Sequence, residues 1–510
     1  MARQTPKVTI IGAGIGGLAA ALRLSHAGFR VSVLERAPTP GGKMRTLPTP
    51  AGPVDAGPTV LTMKPVFDDL FAAVGTRLDD HVTLEPEHIL ARHFWPDGTQ
   101  LDLTADATES RENIAACFGE KSAQQFETFA AKSRKLFDAF EVPMMKNARP
   151  SQTALIAHVM KNPSLIMAMQ PHLNMAQSLH RHFCEPRLAQ LFGRYATYVG
   201  GVPNKAPSIL SLIAHSEAQG VWRVKGGMHR LALAIEALAK KFGAEFHYNT
   251  HVTRLETENK NVCAVHTNVG RRTTDVVLFN GDPRALTSGY LGSSTTSAVR
   301  VSATQPRSLS ANVLSFAARP NGLPLAAHNV LFSDDPNGEY TPLTQGHAQT
   351  DPTLYICAED RFGAATPPDL ERFEIIMNAP AVPDNTTHSP QERQQCQTQI
   401  LDRLRSFGLS FGPTPPDHAL TMPGDFAQMF PASNGSLYGR SPQGLTAAFK
   451  RPTARTTIKG LYLVGGGAHP GAGVPMATIS AQHAVAAIMQ DLTLTSTFQP
   501  AALRGGMSTA

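Results

Sequence analysis

Cysteine is scarce in this sequence, and the five residues that occur are scattered. None belongs to a C-x-x-C pair and their number is odd; they are Cys117, Cys184, Cys263, Cys357 and Cys396. A disulfide framework needs paired cysteines and a zinc site needs clustered ligands, so the pattern argues against both. We therefore expect reduced thiols, a cytosolic protein and no metal site.

Long apolar runs and dense charge runs are missing as well. The sequence has no uninterrupted apolar stretch of about 18 residues, so a transmembrane span is not expected. Residues 1–7 are polar, so a cleavable signal is not expected either. Lys and Arg number 46 against 40 for Asp and Glu, with no basic run that carries aromatics. This balance argues against nucleic-acid binding and weakly favours an anionic membrane surface or an acidic partner.

Hydrolytic machinery is not recognisable either. The sequence shows no Ser/His/Asp triad, no metal-ligand spacing and no characteristic pair of carboxylates. What the chain does have is length and apolar content. Its 510 residues predict two or three domains, and 42% hydrophobic with 17% charged residues predicts a globular protein with a sizeable core.

The most informative stretch is a glycine-rich turn near the N-terminus. A short apolar strand over 8–11 runs into Gly12-Ala13-Gly14-Ile15-Gly16-Gly17, which matches G-x-G-x-x-G, and an amphipathic helix follows. Such glycines allow a tight turn, a close approach of the backbone to a pyrophosphate, and close helix packing. A second strand over 30–34 ends on Glu35, whose carboxylate suits a ribose hydroxyl. The alternative is an α/β turn with incidental glycines, but the complete order of elements predicts dinucleotide binding.

Two further segments identify the dinucleotide by resemblance. Gly41-Gly42-Lys43 resembles the extended fingerprint of flavoproteins related to amine oxidases and carotenoid desaturases, which ends in G-G-R. Lys43 keeps the positive charge expected near the phosphates but lacks the planar fork of arginine, for which Arg45 is available. The segment Val54-Asp55-Ala56-Gly57-Pro58-Thr59 is similar to the F-D-x-G-P-(S/T) segment of carotenoid desaturases. The resemblance favours FAD over NAD.

A second glycine-rich turn lies near the C-terminus. A predicted strand over 460–464 leads into Gly465-Gly466-Gly467-Ala468-His469-Pro470-Gly471-Ala472-Gly473-Val474-Pro475 and then a predicted helix over 476–489. The N-terminus of such a helix can stabilise negative charge at the pyrimidine end of a reduced flavin. The stretch resembles the carotenoid-desaturase signature G-(A/G)-G-T-H-P-G-A-G-(I/V)-P, with Ala468 in place of Thr.

Residues 8–46, 54–62, 220–231 and 460–485 together resemble the bacterial phytoene-desaturase-type carotenoid desaturases, and the resemblance spans nearly the whole chain. Two segments, 42–45 and 226–229, are more similar to the subgroup of hydroxyneurosporene (methoxyneurosporene) desaturases. The resemblance implies an FAD-dependent oxidoreductase of carotenoid biosynthesis that forms the C-3,4 double bond of acyclic 1-hydroxy- or 1-methoxy-carotenoids, which are photosynthesis pigments. In this chemistry a hydride leaves for FAD, a proton leaves the neighbouring carbon, and an apolar tunnel orders the substrate.

The resemblance also assigns site residues and partners. The residues implied for FAD binding are Gly12, Ala13, Gly14, Ile15, Gly16, Gly17, Glu35, Arg36, Gly42, Lys43, Met44, Gly57, Pro58, Thr59, Val252, Gly466, Gly467, Val474, Pro475 and Met476. No catalytic base is identified; His229 and His469 lie in motif segments, and a hydrogen-bonded loop histidine is the alternative for each. The implied partners are a long apolar carotenoid, a membrane surface and an electron acceptor, either a quinone or oxygen. The implied location is peripheral, on the cytoplasmic side of a membrane.

The expected fold is α/β (α+β overall). A Rossmann-like FAD-binding domain of the amine-oxidase type is predicted at 1–75, 220–290 and 455–493, and a mixed-sheet substrate domain at 76–125 and 291–454. A helical membrane-facing subdomain is predicted at 126–219 and a disordered tail at 494–510. Asp97-Gly98 predicts a β-hairpin, and Ser122 is expected to cap a helix. Residues 153–173 are apolar but interrupted, which suits a segment lying on a bilayer; an ordinary pair of core helices is the alternative.

Three other functions remain open. One is phytoene desaturation within the same family. Another is a flavin amine oxidase acting on a soluble amine, which should not need the lipophilic helical insertion. The third is a non-catalytic prenyl-chain carrier without flavin, against which the intact glycines and Glu35 argue. A yellow purified protein with a flavin spectrum would separate the desaturase from the carrier.

Overall fold

Buried apolar strands from distant parts of the chain form one parallel sheet. The computed structural model describes residues 5–362 and 366–494, and its parallel sheet has the strand order Leu461–Leu463, Val276–Phe279, Lys7–Ile11, Arg30–Leu34 and Glu245–His247. The central strands are almost continuously apolar, as expected for strands covered on both faces. The two strands predicted around the glycine turn are confirmed, the second of them at its predicted bounds.

Helices cover one face of this sheet, and a small antiparallel sheet covers the other. Helix Ile15–His26 packs against His229–Lys241 and Val474–Leu494 in a shared apolar core. On the opposite face lie the strands Val252–Glu258, Asn261–Thr267 and Gly270–Thr273, whose buried side chains share a core with the parallel strands. The C-terminal helix begins two residues before its predicted start, so Val474 and Pro475 belong to its first turn.

A second, mostly antiparallel sheet faces the glycine turns. Its order is Ser410–Gly412, Ser310–Asn321, Glu371–Ala379, Leu354–Ala358, His328–Leu331, Ile89–Phe94 and Gln100–Thr104, with Leu420–Thr421 pairing beside Ser310–Asn321. We call it the large sheet. The pair Ile89–Phe94 and His328–Leu331 is parallel. The hairpin predicted around Asp97-Gly98 is confirmed. Two short ladders, Thr46–Leu47 with Val54–Asp55 and Leu84–Pro86 with Trp222–Val224, connect the sheets.

Helices dominate the segment between Ala107 and Ala218, as predicted. Its α-helices are Ala107–Phe118, Glu120–Phe140, Gln152–Met160, Pro163–Met169, Met175–His182, Pro186–Gly193 and Leu212–Ala218, with short helical turns at Glu141–Met145, Arg194–Val199 and Ser208–Ser211. The prediction that Ser122 caps a helix is wrong: it lies inside Glu120–Phe140, and Gly119 at φ +84° separates that helix from the one before. A left-handed backbone favours glycine, which explains the break.

The remaining helices flank the two main sheets. They are Lys64–Ala72, Arg284–Thr287, Pro336–Gln345, Pro390–Ser406, Pro423–Met429 and Ala447–Lys450, with short helical turns at Leu78–Asp80, Ser293–Thr295, Val301–Ala303 and Asp417–Ala419. Among the described residues, no helix combines the length and apolar character needed to cross a bilayer. The tail predicted from 494 lies outside the described residues except for Leu494, the last residue of the C-terminal helix. The division into domains stays a prediction.

Candidate functional site

One large cavity lies between the two glycine turns and the large sheet. Its volume is about 1560 Å³, whereas a pocket for a single drug-sized ligand measures roughly 300–1,000 Å³. Except for Ala13 and Gly17, every residue predicted to bind FAD lines this cavity. The structure therefore brings these distant segments together around one space, which is large enough for a cofactor and a second molecule.

The N-terminal turn is so tight that it requires glycine at positions 12 and 17. Gly12 has φ +98°, and a Cβ on Gly17 would lie 2.1 Å from the carbonyl oxygen of Gly12. Gly17 thus allows the helix to pack closely against the turn, whereas Gly12, Gly14 and Gly16 line the cavity. No side chain caps helix Ile15–His26, whose N-cap is Gly14. Its first N–H groups and positive dipole end are therefore available to an anionic group such as a pyrophosphate.

Glu35 lines the cavity at the end of the second strand and also holds the turn in place. Its Oε2 accepts a hydrogen bond from the Ala13 N–H at 2.6 Å, and its Oε1 accepts one from the Ala37 N–H at 2.8 Å. Each carboxylate oxygen can accept a second hydrogen bond. A ribose hydroxyl at this position stays a prediction that the geometry permits.

The basic residues after the fingerprint make contacts that the motif does not indicate. The Lys43 ammonium donates to the Leu437 carbonyl, and burial lowers its pKa to about 8. The Arg45 guanidinium donates to Thr421 Oγ1 at 2.8 Å. Within the described chain neither side chain hydrogen-bonds to the Gly12–Gly17 turn. Their predicted role at the phosphates stays a prediction.

The C-terminal turn touches the N-terminal turn through a residue that the sequence analysis missed. Asn280 Nδ2 donates to the carbonyls of Gly12 and Gly14 at 3.0 and 3.3 Å. A Cβ on Gly465 would lie 2.4 Å from Asn280 Oδ1, so the second turn also closes on this side chain. Asn280 directly follows the buried strand Val276–Phe279, and a polar residue at that strand end was the available signal.

Arg451 is a second missed residue, and no motif contains it. Its guanidinium donates to three backbone carbonyls, those of Gly466, Tyr438 and Arg440, at 2.7–2.8 Å. Burial lowers the pKa of Arg451 to about 10. By tying the C-terminal turn to the chain around residue 440, this side chain fixes the position of Gly466 and Gly467 in the cavity wall.

The two histidines from the motif segments lie in different places. His469 lines the cavity, its Nε2 pairs with the Asn147 carbonyl at 2.9 Å, and burial lowers its pKa to about 4. His229 is not among the cavity-lining residues, and its Nδ1 pairs with the Met44 carbonyl at 2.7 Å. The structure therefore places only His469 beside the cavity, already paired to the backbone.

The half of the cavity away from the glycine turns is mostly apolar. Side chains of the helical segment line it on one side, namely Leu155, Ile156, Val159, Met160, Ile166 and Met169. Elsewhere in the cavity, the large sheet contributes the apolar side chains of Ala311, Val313 and Ile376. At the cavity's outer end, Ile156 and Met160 are 63% and 65% exposed. The cavity therefore runs from the glycine turns to an apolar surface of the protein.

One carboxyl group in the cavity wall stands apart. Glu374 on the large sheet is fully buried, and within the described chain neither oxygen has a hydrogen bond of ordinary geometry. Burial and the nearby carboxylates of Asp55 and Glu359 raise the pKa of Glu374 well above its usual range, while Arg45 and the Gly57 N–H oppose the shift. The acid form is thereby favoured beside the loop that contains Gly57.

Comparison with known proteins places the chain among flavoproteins. Residues 15–489 match the family of flavin-containing amine oxidoreductases. The chain is 50% identical over 493 residues to the hydroxyneurosporene desaturase of Cereibacter sphaeroides, covering 96% of this chain and 99% of that protein. It is 29% identical to the 1-hydroxycarotenoid 3,4-desaturase of a Flavobacterium species, over 93% of this chain and 97% of that one. The structure of putrescine oxidase bound to putrescine shares the fold, with a TM-score of 0.60, 14% identity, and coverage of 96% and 99%.

Proposed function

Because the chain belongs to the flavin-containing amine oxidoreductases, and within them to the hydroxyneurosporene desaturases, we propose that it introduces the C-3,4 double bond into acyclic 1-hydroxy- or 1-methoxy-carotenoids. It is an FAD-dependent oxidoreductase of carotenoid biosynthesis. The observation that carries the proposal is the 50% identity over 96% of this chain to a hydroxyneurosporene desaturase. The cavity supports it, because apolar residues line it from the glycine turns to the exposed Ile156 and Met160. A long, rigid, apolar chain fits such a cavity.

The residues around the glycine turns fit FAD. The uncapped helix beginning at Ile15 offers N–H groups for the pyrophosphate. Glycine at position 16 lets the two turns approach each other, because a Cβ there would lie 2.8 Å from Asn280 Oδ1 and from Gly465 Cα. Glu35 would bind a ribose hydroxyl, and the first turn of Val474–Leu494 would lie at the pyrimidine end of the ring system. FAD, when bound, supplies the acceptor for the hydride that leaves the substrate. The chain's own contribution is to orient the polyene and to exclude water from it.

The surface around the cavity's outer end suits a membrane. We call it the apolar rim; its members are Val142, Ile156, Met160, Ile166 and Met167, between 39% and 80% exposed. Arg149 and Lys161 are exposed in the same segment and suit anionic lipid headgroups. We propose that the rim rests on the cytoplasmic face of a membrane and that the carotenoid enters the cavity there from the bilayer. The electron acceptor that reoxidises FAD is then a membrane quinone or oxygen.

Membrane docking predicts a specific loss of vesicle binding. Replacing Ile156 and Met167 together by Asp should weaken binding to anionic phospholipid vesicles at least tenfold, because each buried side chain of this size is worth about 1.5–3 kcal/mol. Co-sedimentation measures the effect. Replacing Val269 and Val301 together by Asp is the matched control, since these residues are 66% and 57% exposed outside the apolar rim and the change adds the same two negative charges. Equal binding by the double variant and the control would contradict docking through the rim.

Substrate turnover tests the reaction itself. The flavin-loaded protein should convert 1-hydroxyneurosporene in liposomes to a product with a longer conjugated chain, seen as a red-shifted absorption spectrum. Phytoene and neurosporene serve as competing substrates. Turnover of phytoene without turnover of the hydroxylated carotenoid would overturn the subgroup assignment, and a colourless protein that binds no FAD would overturn the reaction class.

A further inference from the structure

Three hydrogen-bonding side chains interrupt the apolar wall of the cavity. Thr59 Oγ1 lies 2.7 Å from the Tyr355 hydroxyl, which in turn lies 2.8 Å from His328 Nδ1. All three residues line the cavity. They come from three places in the chain: Thr59 follows the Gly57-Pro58 turn, and the other two lie on adjacent strands of the large sheet. We call this cluster the polar triad.

The register of the large sheet places His328 and Tyr355 on the same face. His328 pairs with Cys357 and Val330 pairs with Tyr355, so the two side chains are diagonal neighbours. Their rings are nearly parallel, with centroids 6.1 Å apart, and the edge of Phe362 supports the His328 ring at 5.5 Å. His328 is only 2% exposed. Packing on both sides therefore fixes the direction of its ring nitrogens.

His328 has hydrogen-bonding capacity that the protein does not use. Burial, assisted by the positive charge of Arg194, lowers the pKa of His328 to about 4, so the ring is neutral at physiological pH. A neutral imidazole carries one donor and one acceptor nitrogen. Nδ1 is engaged with Tyr355, but within the described residues Nε2 has no hydrogen-bond partner. One tautomer presents Nε2 as a donor and the other presents it as an acceptor, because the Tyr355 and Thr59 hydroxyls can reverse their direction together.

The proposed substrate carries a polar atom, the oxygen on C-1, close to its reacting carbons. In a 1-hydroxy- or 1-methoxy-carotenoid the oxygen on C-1 is three covalent bonds from C-3. A group that binds this oxygen must therefore lie beside the part of the cavity where the new double bond forms. Thr59 belongs to the loop predicted to bind FAD, and its hydroxyl contacts Tyr355 directly. Through Thr59, the triad therefore adjoins a cavity-lining segment that is predicted to bind FAD.

We propose that Thr59, Tyr355 and His328 form a subsite that binds the oxygen on C-1 of the substrate, with His328 Nε2 as the direct partner. This inference rests on the proposed function and names the residues that set its substrate class. A hydroxyl group both donates and accepts, so it fits either tautomer. A methoxy oxygen only accepts, so it selects the tautomer with Nε2–H. A carotene without oxygen leaves the buried nitrogen unpaired.

The cost of that unpaired nitrogen predicts the selectivity. Leaving a buried polar group unsatisfied lowers kcat/KM by about 10- to 100-fold. We therefore expect the wild-type protein to prefer 1-hydroxyneurosporene to neurosporene by roughly this factor. The preference should arise in KM and not in kcat, since the contact exists before any bond breaks and persists while the bond breaks.

Removing the nitrogen tests the subsite. His328→Phe keeps a flat ring against Tyr355 and Phe362 but offers no hydrogen bond, and Tyr355→Phe removes the hydroxyl that orients His328. The ratio of kcat/KM values for 1-hydroxyneurosporene and neurosporene should fall about 10- to 100-fold in His328→Phe and less in Tyr355→Phe. Bound FAD should stay at the wild-type level. Ile376→Val on the neighbouring strand is the control and should affect both carotenoids alike.

Binding without turnover provides the second measurement. When the flavin is first reduced with dithionite, the carotenoid cannot be oxidised, and its affinity follows from the shift of its absorption spectrum on binding. The proposal predicts weaker binding of 1-hydroxyneurosporene to His328→Phe and tighter binding of neurosporene, because the variant has no buried nitrogen that neurosporene would leave unpaired. An unchanged ratio in both folded variants would overturn the subsite while leaving the desaturase function intact. Wild-type protein that converts neither carotenoid would instead overturn the proposed function, and the subsite with it.

Discussion

Gly57→Ala is expected to disrupt cofactor binding because the added methyl group has no space. A Cβ on Gly57 lies 1.8 Å from the Lys43 carbonyl oxygen and 3.0 Å from its carbonyl carbon. Ordinary contact begins near 3.4 Å, so the two backbone segments must move apart by about 1.6 Å. Both colliding atoms are backbone, and no side chain can rotate away to relieve the contact.

The required movement breaks bonds that shape the cavity wall. The Ala56 N–H donates to the Arg45 carbonyl at 2.9 Å, and Thr46 pairs with Asp55 in the same ladder. Loss of one such buried hydrogen bond costs about 1–3 kcal/mol. FAD binding then has to restore the displaced wall against this cost. Because 1.4 kcal/mol corresponds to tenfold in affinity, we expect FAD to bind about 10- to 100-fold more weakly.

Fluorescence titration of the FAD-free protein with FAD measures this loss, and the shift of the thermal midpoint on adding FAD supports it. Gly52→Ala is the matched control: Gly52 lies at φ +98° in the hairpin just before Gly57, but nothing lies within 4 Å of its Cβ. Its left-handed backbone makes the substitution cost about 1–2 kcal/mol of stability, yet Gly52 does not line the cavity. Wild-type FAD affinity in folded Gly57→Ala, or an equal loss in both variants, would refute the steric reasoning.

Two further predictions concern buried titratable groups. Burial raises the pKa of Glu339 from 4.5 to about 7, so the folded state keeps a proton that the unfolded state releases, and stability falls as pH rises through this window. The free energy of unfolding of Glu339→Gln should therefore exceed that of the wild type by up to about 3 kcal/mol at pH 8 and equal it at pH 4. Urea unfolding measures this difference, and a difference that does not depend on pH would contradict the prediction. His469→Ala should keep FAD binding, because its ring already pairs with the Asn147 carbonyl; holoprotein yield measures this, and a fall would assign the residue to cofactor binding.

Local patterns predicted much of the fold because they depend on short-range geometry. The strand, glycine turn and helix over residues 7–26 follow from sterics within the segment itself, which explains why the strand was predicted to within one residue and the helix was predicted directly after the turn. The wrong assignment of Ser122 as a helix cap has the same origin. Ser favours caps, but the left-handed Gly119 three residues earlier decides where that helix begins.

Contacts between distant segments lay beyond any local pattern. Asn280 and Arg451 hold the two glycine turns, yet neither lies in a motif, since their roles depend on carbonyls contributed by other parts of the chain. The contacts of Lys43 and Arg45 with Leu437 and Thr421 are of the same kind. Only the folded chain shows where a long side chain ends.

The amino-acid sequence by itself determined a dinucleotide site, because a pyrophosphate needs close approach to the backbone at a tight turn and the glycines in that spacing allow it. The resemblance of its motifs to those of carotenoid desaturases then indicated FAD and the family. The tertiary structure decided which side chains line the cavity together. The register of the large sheet brings His328 beside Tyr355. The loop after Gly57 adds Thr59, which is 296 residues away from Tyr355 along the chain. Strand pairing and loop packing over such separations create the polar triad in an apolar wall.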